Sequence, residues 1–201
     1  RDAVENGWPH KIEIEEHSHA GMAARYVAGA SGLPFGILRG YFGTDLVGRH
    51  AGIKTVECPF TGERLAAIQA LNPDVSVIHA QRADRDGNVQ IWGLIGVQKE
   101  AVLSAQIAIA TVEEIVDTLS PVPGAVVLPS WVMSAVACVP RGAHPSFAMG
   151  YSERDNAFYQ RWDAVSADRD KFREWIQTHV LSSADHAELL ASLREAGDIL
   201  V

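Results

Sequence analysis

The chain has 201 residues, 47% hydrophobic and 21% charged, enough to bury one substantial core or one core with a helical appendage. A net charge of −8 and a pI near 5.4 leave no Lys/Arg cluster to neutralise a phosphate backbone, which argues against a nucleic-acid partner. No apolar run reaches the roughly 20 residues that span a bilayer, no signal-peptide pattern follows Arg1, and the two cysteines, Cys58 and Cys138, lack CxxC or Cys/His spacing. The expectation is a reduced, cytoplasmic setting without disulfide or metal.

Lys11-Ile12-Glu13-Ile14-Glu15 alternates polar and apolar, the period of a half-buried strand. Ser18 is placed to cap a helix over residues 19–30, whose small side chains suit close packing. Gly32, Pro34 and Gly36 then force a loop. The glycine-punctuated stretch 38–46 is too broken for a regular element and too aromatic for a plain linker. Ile53 to Val56 reads as a short strand, Pro59-Phe60-Thr61-Gly62 as a turn, and residues 64–71 stand between strand and helix.

Val75-Ser76-Val77-Ile78 reads as a buried strand, mostly β-branched and bounded by turn formers. The chain then becomes densely polar, His79-Ala80-Gln81-Arg82-Ala83-Asp84, before Asp86-Gly87-Asn88 turns it into a second apolar segment. Residues 96–105 read as helix, 106–115 as another buried strand, and 126–139 as strand-rich. From residue 153 onward the pattern is helical, with Phe158, Trp162 and Val165 on one face and Phe172, Trp175, Ile176 and Val180 on another. Apolar strands alternating with helices predict an α/β fold: an open, mainly parallel sheet with helices on both faces and a helical C-terminal extension. The boundary between core and extension is placed after residue 150, giving segments 1–150 and 151–201.

Ligand sites of α/β proteins lie where strands end and loops begin. His79, Gln81, Arg82 and Asn88 are therefore candidate binding residues, since an Arg there can hold a carboxylate or phosphate through two parallel hydrogen bonds. The plainer alternative for Arg82 is a local pair with Asp84. Asn88 is a turn former first. Glu15, Glu16, His17, Ser18 and His19 form a second polar cluster, able to orient a carbonyl or hold a proton, or simply a solvated approach to a capped helix. Gly40-Tyr41-Phe42-Gly43-Thr44 lacks the pattern of a phosphate loop. Ser130 lacks the GxSxG setting of a hydrolase nucleophile, and His144 and His186 read as structural or exposed.

Several of these strings resemble the alpha subunit of family I coenzyme A transferases, of the glutaconate and 3-oxoacid type. They include Arg1-Asp2-Ala3-Val4, Ile12-Glu13-Ile14-Glu15-Glu16, Gly32-Leu33-Pro34-Phe35, Gly43-Thr44-Asp45-Leu46, Cys58-Pro59-Phe60-Thr61-Gly62, Asn72-Pro73-Asp74 and the run from Gln81 to Gly93. The resemblance implies an acyl-CoA transferase in which a glutamate of a beta subunit, within Ser-Glu-Asn-Gly, is the nucleophile. Coenzyme A would be a substrate, with no covalently bound cofactor. Glu16 and Ser18 would line the acyl pocket, beside His79, Gln81, Arg82 and Asn88; no catalytic residue is assigned to this chain. Val4-Glu5-Asn6-Gly7 imitates the nucleophile motif without its Ser and follows a helix-like segment, a coincidence. The family's glycine-rich signature after its first strand is missing, which implies a chain that begins inside such a subunit. Two rival readings remain: hydrolysis of a CoA thioester or opening of a CoA-linked steroid ring on the same fold, and a non-catalytic interaction subunit.

Overall fold

The computed structural model describes residues 2–49 and 52–197. Arg1, part of the first resembling string, and residues 198–201 of the C-terminal segment lie outside the described residues. The chain opens with a short helix, α1 (Asp2–Glu5), so Glu5 of the imitation motif is a helix end. Two compact units follow from the contacts: Ile14–Cys138, and Arg1–Glu13 together with Val139–Val201. These junctions differ from a division after residue 150, because the stretch from Val139 groups with the helical tail.

In the larger unit, α2 (His19–Ala30) begins at the N-cap Ser18, whose Oγ accepts the Gly21 N–H at 3.0 Å. A small antiparallel sheet, order β1-β3-β2, joins β1 (Phe35–Leu38), β2 (Ile53–Glu57) and β3 (Arg64–Gln69), and the ambiguous segment 64–71 is thus strand in its first six residues. Ile53, Ala66 and Ile68 on its inner side pack with Leu38 at the end of β1 and with Tyr41 and Leu46 of the connection between β1 and β2, where α3 (Leu46–Arg49) lies.

The main sheet has order β7-β5-β4-β6-β8, from β4 (Val75–Asp84), β5 (Val89–Ile91), β6 (Ile107–Val116), β7 (Val126–Leu128) and β8 (Ala135–Cys138). The long connection through α4 (Gln98–Ser104) lets β6 return parallel to β4, and β8 is parallel to β6. The tight turn after Asp84 instead makes β5 antiparallel, and β7 follows it. The α/β class and the C-terminal helices are as expected. The sheet, however, is mixed, its parallel character confined to β4, β6 and β8. Ile78, Ala80, Ala108, Ala110 and Val112 pack with Val102 of α4 to form the core.

Three local expectations change. Gly36, expected to hold a loop, lies inside β1 and pairs with Ile68, because β3 supplies the partner. Residues 11–18 form no regular element, because an alternating sequence becomes a strand only beside a partner that completes its hydrogen bonds. The strand starting at Val75 does not stop at Ile78: β6 pairs with it as far as Asp84, so the polar run lies inside the ladder.

The other unit contains α5 (Asn156–Ser166), α6 (Arg169–Trp175), a π-helical turn (Ile176–Leu181) and α7 (His186–Glu195). Asp155, Asp168 and Asp185 cap the three α-helices through their side chains. Phe158, Leu190 and Leu193 form its core with Trp162, Trp175 and Leu189. His144 is buried against Asp155 at 3.4 Å and packs edge-on to Phe158, a structural role.

Candidate functional site

Inside β4 the side chains of His79, Gln81, Arg82 and Asp84 each meet a defined partner. His79 lies across β6, with Nδ1 2.8 Å from Thr111 Oγ1 and Nε2 2.9 Å from a carboxylate oxygen of the buried Glu113. Gln81 commits both ends of its amide to the main chain of Trp92, donating to its carbonyl and accepting its N–H, each at 3.1 Å. The side chain thereby continues the ladder between β4 and β5 one step past the end of β5. Arg82 donates from Nε to Glu114 on β6 at 3.2 Å and stands over the Trp92 ring at 5.5 Å. Its ion partner is thus across the sheet, not the sequence neighbour Asp84, because the parallel register sets residue 82 opposite residue 114.

Asp84 organises the turn instead. It accepts the N–H groups of Asp86 and Asn88 and the Asn88 side-chain amide, at 3.0, 2.9 and 2.8 Å. Burial pushes the Asp84 carboxyl up, but these bonds outweigh it and hold the carboxyl below its ordinary range. Asn88 in turn accepts the Ser130 N–H at 2.9 Å, tying the turn to the segment before β8. A cleft of about 500 Å³ opens here, lined by Asp84, Arg85, Gly87, Ser130, Met133 and Val136. A groove of about 810 Å³ in the smaller unit involves none of the expected site residues. There Arg169 clasps Asp2 and stands over Trp8, and holds the Asp2 carboxyl down at about 2.

The second polar cluster is built differently. Glu15, Glu16 and Ser18 are exposed, on a segment without regular structure. Arg25 of α2, only 8% exposed, reaches three groups: its Nε donates to the Gln69 carbonyl at 3.0 Å, and Nη1 lies 2.9 Å from His17 Nε2 and 3.2 Å from Glu15. The His17 side chain is 1% exposed. Tyr41 approaches from the other side, its hydroxyl accepting the Ser18 N–H at 3.1 Å and standing 3.3 Å from His17 Nδ1. The His17 ring, and then the Arg25 charge, hold the Glu15 carboxyl below its ordinary range against the opposing pull of burial.

The expected site residues therefore occupy two differently built places, the approach to α2 and the β4–β5 hairpin. Sequence reasoning missed Arg25, Tyr41, Glu113, Glu114 and Trp92. Arg25 had a readable signal, a lone Arg amid the small and apolar residues of α2; the rest depended on pairing across strands. Among the described residues no three His, Cys, Asp or Glu side chains are grouped to hold a metal ion. No helix among them is long and apolar enough to cross a membrane.

A sequence model described as coenzyme A transferase matches residues 4–138, which contain both of these places. The chain belongs to the coenzyme A transferase family. It is 56% identical, over 97% of its length, to the A subunit of the 3-oxoadipate CoA-transferase of Pseudomonas knackmussii, and spans 69% of that relative. It is 31% identical over 91% of its length to the A subunit of the glutaconate CoA-transferase of Acidaminococcus fermentans, spanning 63% of it. The crystal structure of that glutaconate coenzyme A-transferase superposes with a TM-score of 0.81 at 28% identity, again over 91% of this chain and 63% of the other. The family resemblance carried by the sequence strings is thus borne out in sequence and in fold.

Proposed function

We propose that this chain is the A subunit of a cytoplasmic, two-subunit CoA-transferase, which moves coenzyme A from an acyl-CoA to an oxo-dicarboxylic acid such as 3-oxoadipate. The observation that carries this reading is the 56% identity over nearly the whole chain to the A subunit of a 3-oxoadipate CoA-transferase. In the proposed reaction the thioester carbonyl is attacked by a glutamate carboxylate of the B subunit, which expels the CoA thiolate and leaves an acyl-glutamyl anhydride. The thiolate then attacks the glutamyl carbonyl, which releases the donor acid and forms a glutamyl-CoA thioester. The acceptor acid reverses both steps. This chain contributes position and charge rather than the nucleophile.

Among its residues we assign Glu16, Ser18, His79 and Arg82 to the substrate-facing surface. The engagement of Gln81 with Trp92 and of Asn88 with Asp84 and Ser130 supports a different part for those two: they hold the hairpin that carries Arg82. The test is exchange by the complex with its B subunit, given an acyl-CoA and 3-oxoadipate. The expected outcome is 3-oxoadipyl-CoA formed one for one with released donor acid, in ping-pong kinetics. Free CoA released without an acceptor would support a thioester hydrolase. A stable complex that does neither would support a non-catalytic role.

A further inference from the structure

Residues 15–18 have no ladder and no helix to fix them, and residues 11–16 are all exposed. Three features that each disfavour folding locally nevertheless converge on this one segment. The Arg25 guanidinium is buried, which a protein tolerates only when its charge and donors are matched. Tyr41 adopts a left-handed backbone, φ 78°, where a side chain is strained. Gly21 stands inside α2, where glycine weakens a helix, yet any Cβ there would lie 1.7 Å from the Tyr41 hydroxyl. Each concession serves the same arrangement. The glycine admits the hydroxyl, the strained tyrosine delivers it to Ser18 and His17, and the buried arginine ties His17 and Glu15 to the end of β3.

Local costs that agree on a single outcome, in a segment that adds nothing to either sheet, mark a place whose geometry matters beyond folding. We infer that Arg25 and Tyr41 are positioning residues of the transferase site, holding residues 15–18 so that Glu16 and Ser18 meet the acyl-CoA in fixed register. The inference rests on the function proposed above. Neither residue is assigned a contact with substrate: Tyr41 acts through the Ser18 main chain that it holds, and Arg25 through the side chains of His17 and Glu15.

The test uses Tyr41→Phe and Arg25→Lys in the complex with the B subunit. Phe keeps the ring in its apolar cluster and removes only the hydroxyl; Lys keeps the charge and loses the fork that reaches Gln69, His17 and Glu15. Both variants are expected to fold, to lower kcat about tenfold, and to change KM for the acyl-CoA little, since a misplaced group costs the transition state more than binding. Hydrogen exchange is read in parallel: the Ser18 amide, bonded to the Tyr41 hydroxyl, exchanges faster in Tyr41→Phe. Full wild-type kcat in Tyr41→Phe, beside an active wild-type complex, overturns the positioning role alone, as does unchanged Ser18 exchange. A wild-type complex with no transfer activity overturns the functional reading, and the positioning role with it.

Discussion

Residues 15–19 and 79–88 look alike in sequence, each a short polar stretch dense in acid, base and hydroxyl or amide groups. The structure builds them by opposite means. The β4–β5 hairpin is set by main-chain pairing on both sides of β4, and Gln81, Asp84 and Asn88 reinforce that pairing with their own hydrogen bonds. The approach to α2 has no ladder; Arg25 and Tyr41 reach in from other elements and hold it. Polar residues on a strand are placed by their register, so losing one side chain leaves the rest in place. Polar residues on an irregular segment are placed only by the side chains that grip them.

The largest effect should follow from cutting the grip. Arg25→Ala leaves the Gln69 carbonyl without its side-chain donor and takes the guanidinium away from the buried His17 and from Glu15, and is expected to lower stability by about 3 kcal/mol. Urea unfolding of the isolated chain measures this. A loss no larger than that of Arg82→Ala would erase the contrast between the two regions.

Gly21→Ala sharpens the same contrast. Its Cβ displaces the Tyr41 hydroxyl, at an expected cost of about 2 kcal/mol from overpacking. In a Tyr41→Ala background the same change should cost much less, and a double-mutant cycle reads the coupling. Additive effects would mean that the close approach is relieved elsewhere.

In the hairpin, Asp84→Ala removes the acceptor of two main-chain N–H groups and one amide, and should cost about 1–2 kcal/mol while β4 and β6 stay paired. The acid limb of the stability curve checks its cause. The Asp84 carboxyl is held below its ordinary value in the folded protein, so its contribution is complete above that ordinary value. It disappears as the pH falls through the lowered folded value. Asp84→Asn should therefore flatten the urea midpoint across that interval. A midpoint that declines with acid as steeply as in the wild type would place the sensitivity elsewhere, Glu15 being the next candidate.

The smallest change in stability belongs to Arg82→Ala. Its pair with Glu114 and its approach to the Trp92 ring are partly exposed, and together are expected to contribute about 0–1 kcal/mol. In the active complex, however, the proposed contact with substrate predicts a ten- to hundredfold loss in kcat/KM, about 1.5–3 kcal/mol. Unchanged kinetics would leave Arg82 as a member of the sheet only.

Much of this was legible in the chain itself. The helix from Ser18, the apolar strands at Val75 and Ile107, the turn at Gly87 and the C-terminal helices all rest on short-range chemistry: caps, β-branched runs, left-handed glycine and 3.6-residue spacing. The family strings were legible for the same reason, being contiguous. The run at Lys11 misled because its alternation describes a face to be buried and says nothing of a strand to pair with.

Most of the elements and their order can be read from the chain locally, because propensity, capping and turn formation act over a few residues; the exceptions, residues 11–18, β1 and β3, are those that depend on a pairing partner. Tertiary structure alone decided who meets whom: that β4 runs on to Asp84, that Arg82 faces Glu114, that Gln81 closes on Trp92, and that Tyr41 reaches the start of α2. Those pairings join residues that are 11 to 32 positions apart. They are fixed by strand register and by the close approach that Gly21 permits, quantities that exist only once the sheets and helices have packed.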